Sequence, residues 1–218
     1  MQEGHRRYLR QPNSDGQTRK NWVEFSCIKK FTAALRKTTL AYDKNKLWTK
    51  DEYANATMAF ILQVHMTFPI RRDLVSVQWG SNFTDADNYI DDATHEIVLN
   101  KHKTSRWHGP SRLKMSRPMW RLAQLLRKQQ KMRSIKSGNI LLNRYWRKMS
   151  PNGFSTWMKR EMKKCPTCED KCIGVLLIRH CIISHKNRNN TTIKQNREFA
   201  AKCMHSTTQN SRYRVDSK

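Results

Sequence analysis

Acidic side chains are scarce in this chain: 17 Asp and Glu stand against 43 Lys and Arg in 218 residues, leaving a formal net charge of +26 and an isoelectric point near 10.3. Such an imbalance calls for a polyanion, and nucleic acid is the usual one, because each phosphate neutralised by Lys or Arg releases condensed counterions. A membrane surface is the lesser possibility. The few carboxylates gather between Asp85 and Glu96, which does not suggest three acids spaced around two metal ions for metal-assisted phosphoryl transfer. No glycine-rich phosphate loop occurs, so nothing points to ATP. Long apolar runs are missing too: the segment from Met58 to Met66 is too short to span a bilayer and carries Gln63 and His65. The N-terminal residues, which include His5, Arg6 and Arg7, lack the apolar core of a signal peptide, so an intracellular protein is expected. In that setting the six cysteines read as reduced thiols or metal ligands rather than disulfides, and Asn55-Ala56-Thr57 and Asn82-Phe83-Thr84 as chance glycosylation triplets.

What is present suffices for one main domain, with 37% apolar residues. Residues 1–20 are polar and turn-rich and read as a mobile basic arm. Trp22, Phe25, Ile28, Phe31 and Leu35 recur at helical spacing, predicting one amphipathic helix within 21–45. Thr49 and Glu52 fit a capping box that opens an apolar helix, and Pro69 should end it near Thr67. A short helix is expected from Arg71 to Trp79, then strands at 88–91 and 96–100, a basic turn from Lys101 to Gly109, and a further strand. The segment 116–128 is the clearest amphipathic helix, 140–142 reads as a strand, and helices are expected at 154–162, 197–204 and from Ser206 or Thr207 to Tyr213. The fold class is therefore α+β, mainly helical, with a small antiparallel sheet.

The most apolar run extends from Ile173 to His185, and Arg179 sits in its middle. A helix that buries this run must bury a permanent cation, which is costly without a hydrogen-bonded anion. One reading is metal: Cys165 and Cys168 form a CxxC pair, and His180 and His185 follow at a distance near that of a zinc finger. A finger needs a polar-faced helix before its histidines, whereas Val175 to Ile178 are continuously aliphatic, and Arg179 stays unexplained.

The other reading is phosphoryl transfer at a DNA backbone, which needs fixed cations around the non-bridging oxygens, an in-line nucleophile and an acid for the leaving oxygen. Here the order of boxes resembles the catalytic domain of the tyrosine recombinases, the phage-type integrases. The boxes are Phe68 to Val75 with Arg71, Arg72 and Asp73; Val98 to Thr104 with Lys103; Val175 to His180 with Arg179; and Met204-His205-Ser206 followed by Tyr213. The ending is most similar to the divergent branch found in eukaryotic mobile elements and large viruses. The resemblance covers 46–214 as a catalytic domain, leaves 215–218 as a tail, and makes 21–45 the remnant of a core-binding region.

The resemblance implies a set of roles. Arg71, with Arg72 as alternate, and Arg179 would grip the scissile phosphate. Lys103, on the hairpin, would protonate the departing 5′ hydroxyl. His205 would hydrogen-bond the phosphate or shuttle a proton, and Tyr213 would form the 3′-phosphotyrosyl bond. It further implies double-stranded DNA as partner, a tetramer on two duplexes, no metal, cofactor or ATP, and work in the nucleus of a eukaryotic host or at a viral replication site. One departure stands out: the family's common box carries histidine three residues before the second arginine, and this chain has Leu176, so that either His180 compensates or the site works with one donor fewer, as in the divergent branch.

Overall fold

The structure, a computed structural model, describes residues 20–80, 83–85, 87–102, 105, 109–189 and 192–203. The expected arm, Lys103, His205, the terminal helix and Tyr213 lie outside the described residues.

Helix α1 (Phe25–Ala41) buries Ile28, Thr32, Leu35 and Thr39, one stripe along its length. Helix α2 (Lys50–Thr67) begins at the expected capping box: the Thr49 hydroxyl accepts the Glu52 amide at 3.2 Å, and the Glu52 carboxylate accepts the Thr49 amide at 2.7 Å. Ten of its 18 residues are buried, including the run from Ala56 to Leu62, because it is the central helix with α1 and three later helices laid against it. Val23, Ile28 and Leu35 share one core with it.

The chain then departs from expectation. A 3-10 turn (Arg72–Ser76) leads into strand β1 (Val77–Trp79) where residue spacing predicts a single helix. Val77 and Trp79 find strand partners, and this tertiary pairing overrides helical spacing in so short a segment. Strands β2 (Asn88–Asp91) and β3 (Glu96–Leu99) form the predicted hairpin, and β4 (Ser111–Lys114) adds antiparallel to β3. β1 joins β2 in parallel, Val77 opposite Asn88, so the sheet is mixed and runs β1-β2-β3-β4.

The expected strand at 140–142 is instead two isolated bridges, Gln78 to Asn139 and Leu142 to Lys148. The first belongs to a short lid on the outer side of β1, where the Trp79 amide donates to the Gly138 carbonyl and the Ile140 amide to that of Val77. A Cβ on Gly138 would come 3.3 Å from the Trp79 carbonyl oxygen, so this close approach suits glycine. At the other side of the sheet Arg112 and Lys114 of β4 are exposed.

Helix α3 (Arg117–Met132) turns Met119, Leu122, Ala123 and Leu126 inward. Helix α4 (Pro151–Met162) starts three residues earlier than expected, with Pro151 in the first turn and the Ser150 hydroxyl accepting the Gly153 amide at 3.0 Å. Helix α5 (Val175–Asn189) is the Arg179 run, and α6 (Ile193–Lys202) opens on a Thr192–Gln195 capping box. Among the described residues no helix is long and apolar enough to cross a membrane.

Candidate active site

Arg179 is 1% exposed, the largest of the fully buried side chains. Its burial is met at least in part by backbone: Nε donates to the Pro69 carbonyl and Nη2 to the Cys203 carbonyl at 2.8 Å. Those two carbonyls precede Arg71 and His205 by two residues each. The guanidinium thus ties the Arg71 segment to the end of the short helix that closes the described chain, a use for which its planar fork of donors is suited.

Arg179 also reaches the wall of an open groove of about 990 Å³. One side of this groove is Gly174, Val175 and Leu176 at the start of α5; another is Arg71, Arg72 and Asp73; a third is Lys148 to Pro151 with Ser155 and Lys159 of α4. Five cations line it against one carboxylate, that of Asp73. Burial pushes the Asp73 carboxyl above its ordinary range, while His102 and Arg71 beside it pull the other way. His102 therefore sits close to the Arg71 box, and its ring is held there by the Gly109 carbonyl at 3.0 Å from Nε2. The chain leaving β3 is in this way brought, at His102, beside Asp73 of the groove.

Arg71 and Arg72 do different things. Arg72 is exposed and donates to the Asn152 side chain at 3.3 Å, bridging to the first turn of α4. Arg71 is half-buried and close enough to His180 to depress its proton affinity. Burial, with Arg179 and Arg71 adding to it, pushes His180 down to about 4. Burial likewise pushes His65 of α2 down to about 4, with Arg179 adding, against the Ile61 carbonyl that its Nδ1 meets at 2.8 Å. Both imidazoles are neutral at pH 7.

These two depressed histidines make stability depend on pH. Between pH 6.5 and about 4 the unfolded chain binds protons on them and the folded chain does not, so stability is full above pH 6.5 and declines as pH falls toward 4. For His65 alone the loss between about pH 7.5 and about pH 4.5 should be about 2–3 kcal/mol. Urea midpoints at the two pH values check this: His65→Leu should show a smaller drop than the parent protein, and equal drops would refute it.

The zinc reading does not assemble. Cys165 and Cys168 do lie together in a buried turn, each near the Thr167 hydroxyl, but His180 belongs to the arginine side and His185 stacks on Phe25 with ring centroids 4.3 Å apart. Five residues apart on α5, the two histidines cannot both turn toward the cysteine pair. Among the described residues no group of three or more His, Cys, Asp or Glu is placed to hold a metal. Burial raises the Cys168 and Cys181 thiols to about 12, so both are protonated.

Of the residues singled out from the sequence, the described ones, Arg71, Arg72 and Arg179, come together in the groove, with His180 behind them. Sequence reading missed Lys148, Lys159 and Asn152. The signal for Lys159 was available in part: Trp157 and Met158 are the inward positions of an amphipathic helix, which leaves the next position outward.

No protein-family model and no curated protein matches the sequence. Solved structures do match the fold. XerA recombinase aligns with a TM-score of 0.57 at 12% identity, over 90% of this chain and 59% of that one. XerH site-specific recombinase, bound to difH substrate in a pre-cleavage complex, gives 0.59 at 12% over 91% and 51%. The Tn1549 transposon integrase, in complex with transposon right end DNA, gives 0.56 at 12% over 90% and 62%. The chain thus spans between half and two thirds of those proteins, and across that span it has the fold of a tyrosine recombinase catalytic domain.

Proposed function

We propose that this chain is a site-specific DNA recombinase or integrase that cuts and rejoins strands of double-stranded DNA through Tyr213, in the integration or excision of a mobile or viral element. The observation that carries the reading is the meeting of Arg71 and Arg179, 108 positions apart in the sequence, in one cation-lined groove. Two guanidinium groups can hold a phosphate from two sides without titrating near neutral pH. Arg71 is taken as the partner of Arg179, because Arg72 is engaged with Asn152.

In the proposed reaction the Tyr213 phenol gives its proton to solvent water, directly or by way of His205, and its oxygen bonds to phosphorus as the P–O5′ bond breaks; the departing 5′ oxygen takes a proton from Lys103. His205 hydrogen-bonds the phosphate. The new phosphodiester keeps the energy of the old one, so a 5′ hydroxyl can attack it in turn and rejoin the strand with no nucleotide consumed. By the same resemblance the working assembly is a tetramer on two duplexes, in a nucleus or at a viral replication site.

The test is a pool of double-stranded oligonucleotides randomised around a single nick, so that the fragment beyond the cut diffuses away and the covalent intermediate accumulates. The full-length protein should yield a protein–DNA adduct, and Tyr213→Phe should yield none. An adduct that persists in Tyr213→Phe, or none from the parent protein, overturns the reading.

A further inference from the structure

Leu176 leaves a gap in the proposed recombinase site. Three residues before Arg179 it shares that residue's side of α5, yet it offers no donor where the family's histidine would stand. His180 does not line the groove. Lys159 does. Its side chain comes from α4, where Trp157 and Met158 are buried and fix the helix against the core. Its aliphatic stem lies across Gly174: a Cβ at that glycine would sit 3.5 Å from Lys159 Cε and 3.7 Å from Cγ. The lysine therefore crosses the chain two residues before Leu176, and it is exposed and lines the groove.

We propose, resting on the recombinase function, that Lys159 is a phosphate-contacting residue of the cleavage reaction, its ammonium donating to a non-bridging oxygen of the scissile phosphate in the place of the donor missing at Leu176. It forms and breaks no covalent bond. It stabilises the charge that grows on the equatorial oxygens as phosphorus becomes five-coordinate. Lysine can do this as a point charge, where a rigid fork is not required.

A duplex recovered from the randomised nicked pool serves as the probe, with the full chain, at saturating DNA and single turnover. Lys159→Met keeps the stem over Gly174 and removes the charge; adduct formation should slow by about 10²-fold. Lys163→Met, an equal charge loss at the exposed end of α4 away from the groove, should leave the rate unchanged. With a methylphosphonate at the scissile position, which has one anionic oxygen fewer, the parent protein and Lys159→Met should react at similar rates. If Lys159→Met matches the parent rate on ordinary DNA while Tyr213→Phe gives no adduct, the assignment of Lys159 fails and the recombinase reading stands. A Lys159→Met defect of the same size on the methylphosphonate makes the lysine a DNA grip rather than a scissile-phosphate contact, and also overturns the assignment. No adduct from the parent protein overturns both.

Discussion

Arg179→Ala should lower stability by about 3–5 kcal/mol and abolish adduct formation together. The substitution removes the largest fully buried side chain among the described residues, leaving a cavity, and strips the carbonyls of the buried Pro69 and Cys203 of a donor. The two effects can be separated. Arg179→Lys keeps a cation but has one nitrogen in place of a fork, and cannot hold two carbonyls on different segments while also reaching the groove. It should recover part of the stability in urea unfolding and little of the cleavage measured on the folded fraction. Full cleavage by Arg179→Lys would show that the guanidinium geometry is not needed.

The second large effect lies away from the groove. Gln130 of α3 is 3% exposed, and its amide nitrogen donates to the Tyr53 hydroxyl at 2.7 Å and to the carbonyls of Asn139 and Ile140 at 3.2 and 3.1 Å. Its oxygen accepts the Trp79 indole N–H at 3.1 Å. One side chain therefore joins α2, α3, β1 and the lid over β1. Gln130→Leu fits the volume but leaves a phenol, an indole and two carbonyls short of partners, and should cost about 2–4 kcal/mol. Gln124→Leu, on the exposed side of the same helix, should change stability by less than about 0.5 kcal/mol. Urea unfolding of the pair checks the contrast; near-equal midpoints would mean that the network contributes little.

These two residues mark where sequence reading succeeds and stops. Arg179 is conspicuous because charge inside an aliphatic run violates the simplest rule of burial, and the structure places it at the groove. What it bonds could not be foreseen, since Pro69 and Cys203 are 110 and 24 positions away. Gln130 is invisible in the sequence: a glutamine near the end of a basic amphipathic helix is ordinarily solvated, and only the fold brings Tyr53 and Trp79 to it. The same holds for Lys159, whose place over Gly174 depends on how α4 meets α5. The helices with strong local punctuation are legible, Thr49 with Glu52 above all. β1 is not, because three residues can take either state and its parallel partner decides.

The lid over β1 has one more consequence. A sheet with a bare outer strand offers unpaired amides and carbonyls on which another chain can build, the usual route to ribbon-like aggregation. Here one margin is occupied by residues 138–140 and the other, β4, carries Arg112 and Lys114. The first is sealed by the chain's own backbone, and the second carries the exposed charged side chains of Lys114 and of Arg112, which pairs with Asp91 and Glu96. Strand addition between copies of the chain is therefore disfavoured at both margins of the sheet.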